Sequence, residues 1–70
     1  MTKNQLKTLT YKIEDMNARY DVEYDLTKFI RMTRKMNVLD DDEEVTFELV
    51  FEEINIIVRN LKDKDEEFTF

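Results

Sequence analysis

No glycine and no proline occurs anywhere in the 70 residues, and no other property limits the accessible folds so tightly. A tight two-residue β-hairpin needs backbone at φ > 0, which glycine or asparagine adopts at low cost. Over the second half of the chain only Asn37, Asn55 and Asn60 are available for that purpose. Turns between helices can be made with Asp and Asn, so the composition tips the chain toward helices.

The apolar spacing agrees. Leu6, Leu9, Ile13, Met16 and Tyr20 are separated by alternating steps of three and four, the signature of one helix face. Val22, Leu26, Phe29, Thr33 and Met36 repeat the pattern with Ile30 alongside. Phe47, Val50, Ile54, Ile57 and Leu61 do so a third time, widened by Phe51 and Val58. The expected fold is mostly α, a single small domain over 1–70. It has three amphipathic helices at about 3–18, 22–37 and 42–62, with turns near Ala18–Asp21 and Asn37–Asp40.

A competing pattern runs through the same residues. Tyr20, Val22, Tyr24 and Leu26 alternate with Asp21, Glu23 and Asp25, as a half-buried strand would. Val45, Phe47, Leu49 and Phe51 alternate too, in a segment rich in β-branched and aromatic residues that suit a pleated surface. The alternative fold is α+β, with two N-terminal helices and a C-terminal β-hairpin or meander over 45–70.

Missing residue types exclude most chemistry. With no Cys and no His, disulfides and thiolate or imidazole metal sites are ruled out. Ser is also absent, so nucleophilic triads lack their parts, and without Gly no phosphate-cradling loop can form. No enzyme is expected, and no cofactor. No run reaches the roughly 18 apolar residues of a membrane span, and "MTKNQLKTLTYK" has no apolar leader core, so a cytoplasmic protein is expected. A core this small is marginal. Regular helix packing and homodimerisation are the remaining ways to support it, and Phe68 and Phe70 are expected to find cover on the same or a second copy.

Charge is sharply segregated within the net −6. Residues 1–36 hold eight basic and five acidic side chains (+3), whereas residues 37–70 hold three basic and twelve acidic ones (−9). The acidic half opens with Asp40, Asp41, Asp42, Glu43 and Glu44 in succession. A calcium loop beginning at Asp40 would need Gly at its sixth position and Glu at its twelfth. Val45 and Phe51 stand there instead, and no metal site is expected. Asp40 or Asp41 would cap the third helix, with further acids in its first turn favoured by the helix dipole. Capping does not require five carboxylates.

Spacing extends the acidity beyond that run. Glu44, Glu48 and Glu52 recur every four residues, about 6 Å apart along a helix, and Glu53, Asp63, Asp65, Glu66 and Glu67 prolong it. A row of fixed carboxylates can occupy the Lys/Arg surface of a nucleic-acid-binding protein. Lys28, Arg31, Arg34 and Lys35 form an opposing basic stretch. They are read as pairing with the acidic half within or between chains, or alternatively as a phosphate-contacting helix.

The acidity of "DDDEEVTFELVFEE" and "KDKDEEF", in so short a chain lacking catalytic residues, resembles small phage-encoded acidic host-takeover proteins. Within that type it is similar to DNA mimics, such as phage inhibitors of the bacterial histone-like nucleoid protein HU, and to anti-CRISPR proteins. The resemblance implies a non-enzymatic inhibitor in the host bacterial cytoplasm. Its partner would be a basic nucleic-acid-binding host protein, blocked through Asp40–Glu44, Glu48, Glu52, Glu53, Asp63, Asp65, Glu66 and Glu67, with no direct binding of nucleic acid. Two alternatives stay open: a small DNA-binding regulator using Lys28–Lys35, and a plain helical protein–protein interaction module.

Overall fold

The computed structural model describes residues 1–67, with side chains described through Asp65; Phe68 and Phe70, and whatever covers them, lie outside the described residues. Three helices form within that span: α1 (Lys3–Tyr20), α2 (Leu26–Met36) and α3 (Phe47–Glu67). There is no strand among the described residues, so the hairpin alternative does not form across Val45–Phe51.

α3 is the spine, against which both α1 and α2 pack. The core gathers Leu9, Ile13 and Met16 from α1, Phe29 from α2, Val50 and Ile54 from α3, and Val45 just ahead of α3. Each lies on the three-and-four stripe of its helix or at the mouth of one, so the periodicity maps directly onto burial. Thr33 is fully buried in the same layer because its hydroxyl donates to the Phe29 carbonyl at 2.8 Å, which removes the cost of leaving that oxygen unpaired. The molecule measures 46 × 25 × 17 Å.

Two helix starts differ from the periodicity. α2 begins at Leu26 rather than Val22 because Asp25 caps it: its carboxylate accepts from the Lys28 N–H at 2.7 Å. Residues 22–25 form a connector with no regular structure, in which Asp25 is extended (φ −129°, ψ 168°), while Tyr20 and Leu26 at the ends of the alternation belong to α1 and α2. Val22, Tyr24 and Leu26 are half-buried, while Glu23 and Asp25 are exposed. In place of a sheet, Asn17 pairs with the connector. Its amide donates to the Tyr24 carbonyl at 2.7 Å and accepts from the Tyr24 N–H at 3.0 Å, mimicking a peptide unit.

α3 begins at Phe47 rather than 42 and runs past 62 to Glu67. Its N-terminal cap is Thr46, whose hydroxyl accepts from the Leu49 N–H at 3.4 Å; Asp40 and Asp41 do not cap it. At the other end of the connection, α2 closes with paired bonds typical of a Schellman turn. The Leu39 N–H donates to the Arg34 carbonyl at 3.0 Å, and the Val38 N–H to the Lys35 carbonyl at 3.2 Å. That turn needs a left-handed residue, and with no glycine in the chain Val38 takes it, at φ 51°. α1 ends likewise on Asp21 at φ 54°, a residue type that tolerates this region better than a β-branched one.

Candidate acidic interaction surface

The five consecutive acids lie in the α2–α3 connection, all of them exposed. Leu39 and Val45 pin its two ends, both packed into the core. Between them the Glu43 N–H donates to the Asp40 carbonyl at 3.0 Å, closing a turn. Arg34 then braces the turn from α2, donating to the carbonyls of Asp40 at 2.7 Å and Glu43 at 2.9 Å. The Glu43 carbonyl is an acceptor that a helix starting at 42 would draw on, and here it meets Arg34.

The consequence for electrostatics is direct. Arg34 meets backbone oxygens of the run and forms no ion pair with its carboxylates. Among the described residues, Asp40, Asp41, Asp42, Glu43, Glu48, Glu52 and Asp63 form no ion pair; Glu44 meets the N-terminal ammonium at 3.3 Å, and Asp15 meets Arg19 at 3.6 Å. Glu48 and Glu52 stand exposed one turn apart on α3. The expected row of three on a helix is therefore two helical carboxylates continued by a loop, since Glu44 precedes the helix. Asp63 and Asp65 are exposed near the far end of α3; the side chains of Glu66 and Glu67 lie outside those described.

Glu53 corrects the sequence reading. Only 8 % of it is exposed, so it does not belong to the open acidic edge. It sits three residues after Val50 and four before Ile57, on the buried stripe of α3 rather than beside Glu52 on the outer face. The 3.6-residue period was the signal that could have found this, and its charge masked it.

The basic stretch is separate. Lys28, Arg31 and Lys35 are exposed on α2, and none of them is ion-paired to the acidic half among the described residues. Lys28 lies over the Tyr24 ring, 4.8 Å from its centroid. With Arg34, Met32, Val38, Leu39 and Asp41 they line an open groove of about 590 Å³. Val38, strained and 87 % exposed, stands among the lining residues. No helix among the described residues is long and apolar enough to cross a membrane. Comparison with family models, curated proteins and solved structures returned no match.

Proposed function

We infer that this protein is a non-enzymatic acidic inhibitor that stands in for DNA on the basic surface of a nucleic-acid-binding protein. The observation that supports it most is the bracing of the Asp40–Glu44 turn through its carbonyls, which leaves five exposed carboxylates with no Lys or Arg paired to them, Glu43 accepting only from the Asp40 N–H and Glu44 meeting only the N-terminal ammonium. Exposed anions without a Lys or Arg of their own are what a Lys/Arg surface built for phosphates recognises. Preorganisation also lowers the entropy lost on binding.

The test is capture from bacterial lysate on the immobilised full chain, with elution by salt and competition by duplex DNA. Basic DNA-binding proteins should be retained and released by either treatment. Affinity should fall roughly tenfold or more between about 50 and 200 mM salt, as for phosphate contacts. Replacing Asp40, Asp41 and Asp42 with Asn and Glu43 and Glu44 with Gln should abolish retention with the helical signal intact. Undiminished binding by that variant would refute the mimic.

Four cations lining one groove favour a second reading, a DNA-binding regulator acting through α2. Against it stand the net charge of −6 and Asp41 among the groove's lining residues. Retention of the protein itself on duplex DNA at moderate salt would decide for it.

A further inference from the structure

Glu53 is 92 % buried by the same measure that leaves 8 % of it exposed, and it has no hydrogen-bond or ion-pair partner among the described residues. A carboxylate on the core stripe of a helix is costly unless paired. Leucine at that position would serve the α2–α3 packing better. Yet no side-chain oxygen or nitrogen among the described residues is both buried and unsatisfied, so the Glu53 carboxylate still reaches solvent. It lines a small cavity of about 190 Å³ between the end of α2 and the first half of α3, together with Met36, Asn37, Leu49, Glu52 and Ile56.

Leu49, Met36 (69 % exposed) and Ile56 (43 % exposed) give the cavity apolar walls, and Glu52, Glu53 and Asn37 are its polar lining residues. The Asn37 amide nitrogen is committed to the Thr33 carbonyl at 2.9 Å, which leaves its oxygen as a further acceptor. The lining offers acceptors and no cationic donor. At about 190 Å³ it is smaller than the roughly 300–1,000 Å³ of small-molecule sites, and it suits one side chain.

We propose that this cavity is a socket for a single arginine side chain of the basic partner. The aliphatic stem lies along Met36, Leu49 and Ile56, as long cationic side chains do on apolar surface. The planar guanidinium, with five donors, meets Glu52, Glu53 and the Asn37 oxygen, a donor-to-acceptor match that ammonium does not reproduce. Arginine anchors in desolvated pockets are common centres of binding energy. The proposal rests on the partner being basic, as inferred above, and adds where on this chain the specific contact is made.

The experiment titrates the full-length protein with N-acetylarginine amide and with its neutral citrulline analogue at constant ionic strength, read by amide NMR. Arginine should give saturable shifts at Asn37, Leu49, Glu53 and Ile56, and citrulline should bind at least tenfold more weakly. Glu53→Gln and Ile56→Ser should each weaken arginine tenfold or more, while Glu53→Gln raises the urea midpoint of the free protein. Shifts spread evenly over the acidic surface, or unchanged affinity in Glu53→Gln, would overturn the socket. So would a lowered urea midpoint, which would mark Glu53 as structural. The variant neutralised at Asp40–Glu44 should keep the arginine signal while losing its protein target. If that variant loses its target but no socket signal is seen in any form, only the socket falls. If it keeps its target, the mimic falls.

Discussion

Replacing Asn17 with alanine should destabilise the fold by an amount that can be worked from its two bonds. The side chain makes two short bonds, 2.7 and 3.0 Å, to both backbone groups of Tyr24. Tyr24 is half-buried, and its ring lies 5.2 Å from that of Phe29, so water replaces these bonds poorly once they are cut. Each is worth about 0.5–1.5 kcal/mol net, with about 1–3 kcal/mol where a buried group is left unpaired. Taking the lower half of those ranges for a half-buried site gives a loss of about 3 kcal/mol. Alanine returns about 0.6 kcal/mol through its better helix propensity. The net expectation is about 2 kcal/mol, against a total of roughly 4–10 kcal/mol for a chain of this size.

The assay is urea unfolding followed by the helical circular-dichroism signal, with a thermal melt alongside. The melting temperature should drop by roughly 8–16 °C. Asn17→Asp keeps the acceptor for the Tyr24 N–H but sets a carboxylate oxygen against the Tyr24 carbonyl, so it should lose stability as well. If Asn17→Ala unfolds within 0.5 kcal/mol of the parent (roughly the spread of ordinary surface changes), then the connector is not held by this side chain and the reasoning fails.

Val38→Gly should stabilise the protein by about 0.5–1 kcal/mol in the same assay. It relieves a left-handed β-branched residue, worth about 1–2 kcal/mol, at some cost in unfolded-chain entropy. Thr46→Ala removes the α3 cap and should cost about 0.5–1 kcal/mol, the lower part of the usual range because its bond is long at 3.4 Å. Arg34→Ala should leave the three helices in place but free the acidic turn. Amide hydrogen exchange should then accelerate across residues 40–44 and stay unchanged in α1.

Three helices were legible in the spacing because burial on a helix follows one period, and Leu9, Phe29 and Ile54 fall on it. Helix ends were less legible, since they depend on which side chain reaches a free N–H. Asp25 and Thr46 both carried the chemistry of a cap, and both stood inside stretches whose apolar rhythm ran through them. The Tyr20–Leu26 alternation, read as a strand signature, does not form one: Val22 and Tyr24 are half-buried in a connector between two helices. Its partner turned out to be an asparagine side chain, which no periodicity registers. The open carboxylates were visible as composition, but their freedom from cations depends on Arg34 choosing carbonyls. That choice is set by the turn at Asp40–Glu43, and it emerges only once the loop has a shape.

The division of labour at the acidic turn has an energetic consequence. Backbone contacts brace the turn; of its five carboxylates only Glu43, which accepts from the Asp40 N–H at 3.5 Å, and Glu44, which meets the N-terminal ammonium at 3.3 Å, have a partner in the chain, and the set repels itself across a half of the chain carrying −9. Changing them to amides should therefore stabilise the free protein at low salt. The gain should shrink as ionic strength rises and the Debye length falls from about 30 Å at 0.01 M to about 3 Å at 1 M. Groups whose removal strengthens the free fold and weakens binding are the ones a protein keeps for recognition rather than for stability. A neutralised turn that melts lower than the parent at low salt would show the carboxylates to be structural, and would remove the main support for reading this face as a surface made to meet cations.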